Sequence, residues 1–170
     1  MPLRDIIVWP DPRLKRVAEP VTVFDAKLQA LIDDMVETMY AEQGIGLAAP
    51  QVGINQRLFV VDADPEDSEA RPRLLINPEL VEAEGEILFD EGCLSVPGET
   101  IEVPRSTRVR MRAQDRDGHF FEIEAEGVLA IALQHELDHL DGKLIVDELS
   151  SIKREMLKKR MVSLKEERTD

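Results

Sequence analysis

GVLAIALQHELDHLDG, residues 127–142, is the stretch from which the rest of the chain is read. Val128, Leu129, Ile131, Ala132 and Leu133 are apolar nearly all the way round a helix, so this helix is predicted to be buried. Asp141-Gly142 closes it. His135 and His139 stand at i and i+4, on one face and ~6 Å apart, a spacing at which two imidazoles grip one metal ion. Glu136 follows the first histidine, where it can take a proton from water in an open coordination position. The bland alternative is a set of ordinary structural polar residues. The chain has only 3 histidines, and finding two of them in this pattern by chance has a likelihood of roughly one in a few hundred. Buried, these groups need partners in either case. His119, beside a turn, reads as a solvated residue.

Working outward, residues 107–126 carry the clearest β signal. Val109, Met111 and Ala113 alternate with Arg108, Arg110 and Arg112, Asp117-Gly118 marks a turn, and Phe121, Ile123 and Ala125 alternate on the return. Residues 57–62, 74–77 and 79–84 read as strand pieces, and 63–72 as an exposed acidic loop. Leu28, Leu31, Ile32, Met35, Val36 and Met39 recur at helical spacing after a plausible Asp25 cap, predicting a helix to about Glu42. Residues 1–24 read as an irregular arm, and 44–53, GIGLAAPQVG, as backbone packed closely against something. A last helix is predicted from about Ser150 to Glu167. Strands with hairpin connections followed by helices indicate an α+β fold. The expected architecture is antiparallel β-sheets packed around a central buried helix carrying HELDH, with an N-terminal and a C-terminal helix. Residues 1–150 form a single catalytic domain in this reading, with 151–170 as its basic amphipathic C-terminal helix.

The chain has 170 residues, enough for one domain with a real core. No run approaches the ~18 apolar residues of a membrane span, and the N-terminus does not read as a secretory signal. The single cysteine fits a reducing, cytoplasmic setting. A net charge of -14 argues against generic binding to nucleic acid or anionic lipid, so neither membrane association nor nucleic-acid sequence recognition is expected. Residues 151–170 run the other way, with seven Lys/Arg against four acids.

A catalytic metal of this kind wants three protein ligands and one open position. No histidine follows His139. Glu148 and Glu155 are available downstream, one near a helix start and one in a charged helix. Cys93, in EGCLSVPG (91–98), is the other candidate. A lone thiol is usually a small core residue, but as a thiolate it would complete a Cys/His/His site suited to softer ions.

GIGLAAPQVG (44–53), EGCLSVPG (91–98) and QHELDHLDG (134–142) together resemble, in order and spacing, the three signature motifs of the peptide deformylase family. The resemblance runs from about residue 2 to residue 150. It implies removal of the formyl group from the initiator methionine of new bacterial proteins, a co-translational step of N-terminal processing. Cys93, His135 and His139 match the family's metal ligands, with Fe²⁺ the implied ion and Ni²⁺, Co²⁺ or Zn²⁺ able to replace it. Glu136 matches the general acid/base, with metal-bound hydroxide attacking the formyl carbon. The Gln51 amide and the Leu94 backbone N–H match the oxyanion donors. By the same match, Ile45, Gly46, Phe89, Val128, Ile131 and Ala132 line the methionine slot. Glu91 is expected to partner a ligand histidine. At the pocket mouth, where many relatives carry an arginine, this chain has Thr100, with Glu99 and Glu102 nearby.

The implied partners are formyl-methionyl nascent peptides and, through the basic helix 151–170, the ribosome near the peptide exit. The protein is expected to act as a monomer. Two other functions compete: an HExxH zinc endopeptidase with a Glu or His third ligand, and a silent relative that binds metal or formyl-peptide without turnover.

Overall fold

The computed structural model describes residues 3–64 and 71–169, with side chains to residue 164. Most of the expected acidic loop therefore lies outside the described residues. The long helices fall where periodicity puts them. Helix α1 spans Ala26–Ala41, with the Asp25 side chain accepting from the Leu28 N–H. Helix α2 spans Gly127–Leu140 and carries the HELDH segment. Helix α3 spans Ser151–Thr169. Gly127, at φ 63°, turns the chain directly from a strand into α2, a backbone state that costs a side-chain-bearing residue ~1 kcal/mol or more.

Among the described residues, seven strands make two antiparallel sheets. Strands β1 (Gly46–Ala48), β2 (Leu58–Val61), β3 (Arg73–Glu84), β6 (Arg108–Gln114) and β7 (Phe120–Glu126) form one sheet in the order β1-β2-β3-β6-β7. Strands β4 (Ile87–Cys93) and β5 (Val96–Arg105) form a separate hairpin. The β6–β7 hairpin keeps Val109 opposite Ala125 and Met111 opposite Ile123, as the alternation requires. The two pieces expected over 74–84 are one strand with a register shift between Ile76 and Glu79. At that irregularity Asn77 takes φ 51°, and its side chain accepts from the Val21 N–H and donates to the Val21 carbonyl and to Gln114. Segment 44–53, for which no regular element was expected, forms β1 and a 3-10 turn, Ala49–Val52.

The main sheet lies between two helices. Along β2, Leu58 and Val60 face the α1 residues Ile32, Met35 and Met39, while Phe59 and Val61 face the α2 residues Leu133 and Leu140. Both faces of this strand are buried, which explains its unbroken apolar run. A third cluster packs Trp9 and Leu14 of the arm, Val96, Ile101 and Val103 of β5, and Leu157 and Met161 of α3. Each such aliphatic side chain removed from water stabilises the fold by ~1.5–3 kcal/mol. This third cluster holds the outlying hairpin, and Cys93 with it, against the body that carries α2.

Candidate metal centre

Two elements meet at one point. The end of β4 brings Cys93, and one face of α2 brings His135 and His139. The Cys93 Sγ lies 3.4 Å from His139 Nε2, which lies 3.2 Å from His135 Nε2. All three ligand atoms fall within 4.8 Å of one another. Glu148 and Glu155, the other candidates for third ligand, are solvent-exposed and do not join this group. His119 is exposed at the β6–β7 turn.

A buried carboxylate orients the first histidine. Glu91 accepts from His135 Nδ1 at 2.7 Å and is only 4% exposed. That bond places the Nδ1 proton and turns Nε2 toward Cys93 and His139. Glu91 is clamped in turn by the Arg105 guanidinium, whose Nη1 also donates to Asp138 at 2.6 Å. Burial would raise the Glu91 carboxyl, but its bonds to Arg105 and His135 outweigh it and hold the group below the usual carboxylate range.

Three lone-pair atoms facing one another require something positive among them. A shared proton or a cation can serve. Burial opposes a charge on His135, yet the adjacent Glu136, Cys93 and Glu91 hold its pKa well above the ordinary histidine range. Burial and the charge on His135 push His139 well below it. A divalent cation can replace that proton, and one sulfur with two imidazole nitrogens is a donor set that fits a borderline or soft ion.

Glu136 stands beside this group, with Oε2 3.8 Å from His135 Nε2. Its Oε1 is buried and has no hydrogen-bond partner among the described residues. Burial pushes its carboxyl up to about 7, the His135 charge pulling against that and Glu91 adding to it. The β1 backbone presses on it directly. A Cβ added at Gly46 would sit 2.5 Å from Glu136 Oε2, so any larger residue there would displace the Glu136 carboxylate.

A cleft of about 690 Å³ opens over the centre. Cys93, His135, Glu136, Gln51 and Leu94 all line it, and so do all six residues expected for the methionine slot: Ile45, Gly46, Phe89, Val128, Ile131 and Ala132. Gln51 is 1% exposed, and its Nε2 lies 3.7 Å from Cys93 Sγ. A buried acid poised near neutrality beside a triad that could hold a metal, in an apolar cleft, is equipment for metal-assisted hydrolysis.

The family model for polypeptide deformylase matches residues 3–155. The chain belongs to the polypeptide deformylase family. It is similar to the peptide deformylase of Alkalilimnicola ehrlichii, 52% identical over 164 residues that cover 96% of this chain and 92% of that one. Its fold is similar to the crystal structure of a peptide deformylase from Legionella pneumophila, with a TM-score of 0.92, 46% identity, and coverage of 99% and 98% of the two chains. It is also similar to the peptide deformylase from Ehrlichia chaffeensis in complex with actinonin, with a TM-score of 0.89, 38% identity, and coverage of 95% and 96%. This deformylase is an enzyme of a metal-dependent family that acts on formylated peptides, and its Cys93, His135 and His139 are a group that could hold the ion. No helix of the described residues is long and apolar enough to cross a membrane.

Several residues of this site escaped the sequence reading. Arg105 was one. The signal was present, since Ile101, Val103 and Arg105 alternate onto one buried face of β5, and an arginine in an inward register needs carboxylates. Asp138 was assigned no role, and Ser95, which contacts Gln51, carried no sequence signal of one.

Proposed function

We propose that the deformylase hydrolyses the formyl amide of formyl-methionyl nascent peptides, with Glu136 as the general acid/base. The observation that carries this reading is the unpartnered Glu136 oxygen, buried in the cleft wall beside the Cys93, His135 and His139 group. Those three residues would hold the ion. Fe²⁺ is the ion the family resemblance implies, and a thiolate-containing donor set accommodates it, with Ni²⁺, Co²⁺ or Zn²⁺ able to substitute. The chemistry the bound metal supplies is Lewis acidity, toward both the formyl oxygen and water. Glu136 removes a proton from the water that attacks the formyl carbon. It then delivers that proton to the methionine nitrogen as the C–N bond breaks, leaving formate and a free amine. The Gln51 amide and the Leu94 N–H stabilise the developing oxyanion. Ile45, Gly46, Phe89, Val128, Ile131 and Ala132 receive the methionine side chain.

Residues 1–150 act as one catalytic domain with α3 as its appendage, in a cytoplasmic monomer. The basic residues of α3 offer a contact to the ribosome near the peptide exit. Deleting 151–170 should abolish salt-sensitive co-sedimentation with ribosomes, and unchanged binding would rule this contact out. The central test is formate release from formyl-Met-Ala-Ser by iron-loaded enzyme kept free of oxygen. No release, with metal confirmed at the site, would overturn the reading. Cys93→Ala should lose the metal. Retention of both metal and activity would favour the HExxH endopeptidase.

A further inference from the structure

Gln51 is held at three points, and only one of them faces the cleft. Its Oε1 accepts from the Ala48 N–H at 2.9 Å. That bond identifies the other end as the NH₂ group, with two protons to place. Nε2 lies 3.1 Å from the hydroxyl oxygen of Ser95 and 3.7 Å from the sulfur of Cys93. One proton is therefore engaged by Ser95, and the second reaches toward the Cys93 sulfur on the cleft side. Ser95 is fully buried and does not line the cleft. Its own place is fixed by the arm, since the Trp9 N–H donates to the Ser95 carbonyl at 2.9 Å. The Ile7 N–H donates to the Gln51 carbonyl at 2.7 Å, so one stretch of arm ties both backbones together.

From this geometry we infer that Ser95 is a positioning residue for deformylation, whose hydroxyl takes one Gln51 amide proton and so aims the other at the oxygen that becomes negative. The inference rests on the reading of Gln51 as an oxyanion donor. The physical need for Ser95 lies in the terminal torsion of glutamine. That torsion is broad and roughly two-fold, so rotamer preference alone does not aim an amide. The Ala48 bond sets this torsion coarsely through the planar amide, but one bond at the oxygen still leaves the NH₂ free to rock about it. A second anchor on the far side removes that freedom before substrate arrives, which is what makes a donor effective as charge develops. Ser95 meets no substrate and acts only through Gln51.

A double-mutant cycle on the metal-loaded enzyme tests this, with kcat and KM for formyl-Met-Ala-Ser, metal content and melting temperature measured for each variant. Gln51→Ala should lower kcat ~10²–10³-fold. Ser95→Ala should lower kcat roughly tenfold, with KM and metal content near wild type, as a misaimed rather than absent donor predicts. In the Gln51→Ala background, Ser95→Ala should cost nothing further in kcat. A purely structural serine predicts the opposite, an equal loss in both backgrounds that follows the melting temperature. Wild-type kcat in Ser95→Ala overturns the inference, and so does an additive loss. Wild-type kcat in Gln51→Ala instead overturns the oxyanion reading beneath it. Should Ser95→Ala not fold, Ser95→Thr keeps the hydroxyl and must hold kcat within about threefold of wild type when normalised to folded, metal-loaded protein, or the inference fails.

Discussion

Replacing Arg105 with methionine should destabilise the protein far more than a surface change would. Arg105 is 7% exposed and makes two bonds to Glu91 and one to Asp138. Methionine fills much of the space but leaves the Glu91 carboxylate, itself 4% exposed, with His135 as its remaining partner. Breaking a buried ion pair from one side costs ~3–5 kcal/mol, because the other charge stays desolvated. At roughly 2–4 °C per kcal/mol for a domain of this size, the melting temperature should fall by about 6–20 °C. Urea unfolding of the metal-free protein, with unchanged m-value, measures the loss directly. The pH dependence gives a second check. Glu91 titrates below its ordinary value of 4.5 in the folded chain. Its contribution is thus present above the unfolded pKa and lost as pH falls through the lower folded one. Wild type and Arg105→Met should therefore converge in stability in acid and differ most near neutrality. Metal affinity should also drop ~10–100-fold, since the clamp on the histidine partner is gone. A stability loss below about 1 kcal/mol at neutral pH would refute the claim that this network is held by mutual desolvation.

Three further outcomes follow from the same geometry. Glu136→Gln keeps the shape but removes the proton acceptor, so kcat should fall at least ~10²-fold while metal content stays at wild-type stoichiometry, read by elemental analysis. Gly46→Ala should lower kcat at least ~10-fold, because the new methyl displaces the Glu136 carboxylate; wild-type turnover would show that the β1 backbone yields there. The cleft is lined by Glu42, Asp90 and Glu99, and among the described residues no Lys or Arg lines it. Arg160 reaches Glu99 at 3.4 Å, but this is an exposed pair of little energetic weight. Formyl-Met-Lys-Lys should thus exceed formyl-Met-Glu-Glu in kcat/KM by roughly tenfold at low salt, with the gap closing near 1 M salt. A salt-independent ratio would point to shape instead of charge.

The local elements of this protein were legible because their causes are local. A 3.6-residue apolar period marks α1, the i, i+4 histidines mark the metal-facing side of α2, and strict alternation marks β6 and β7. Hairpin β4–β5 was not legible as strands. Pro97, Gly98 and Pro104 interrupt its pattern, and the apolar Ile87 and Leu88 fall at exposed positions. Such a pair stays extended because the arm and α3 pack on it, a cause that lies far away in the chain. The candidate centre divides in the same way. Sequence by itself determined that two histidines and an acid share one buried helix, and the three motifs in order implied the family and Cys93. Only the tertiary structure decided that the Cys93 sulfur arrives 3.4 Å from His139, that Arg105 clamps the Glu91 expected beside a histidine, and that Ser95 stands behind Gln51. The physical reason is that a side chain's chemistry is written at its own position, whereas its aim depends on partners brought up by packing from 14 to 46 residues away.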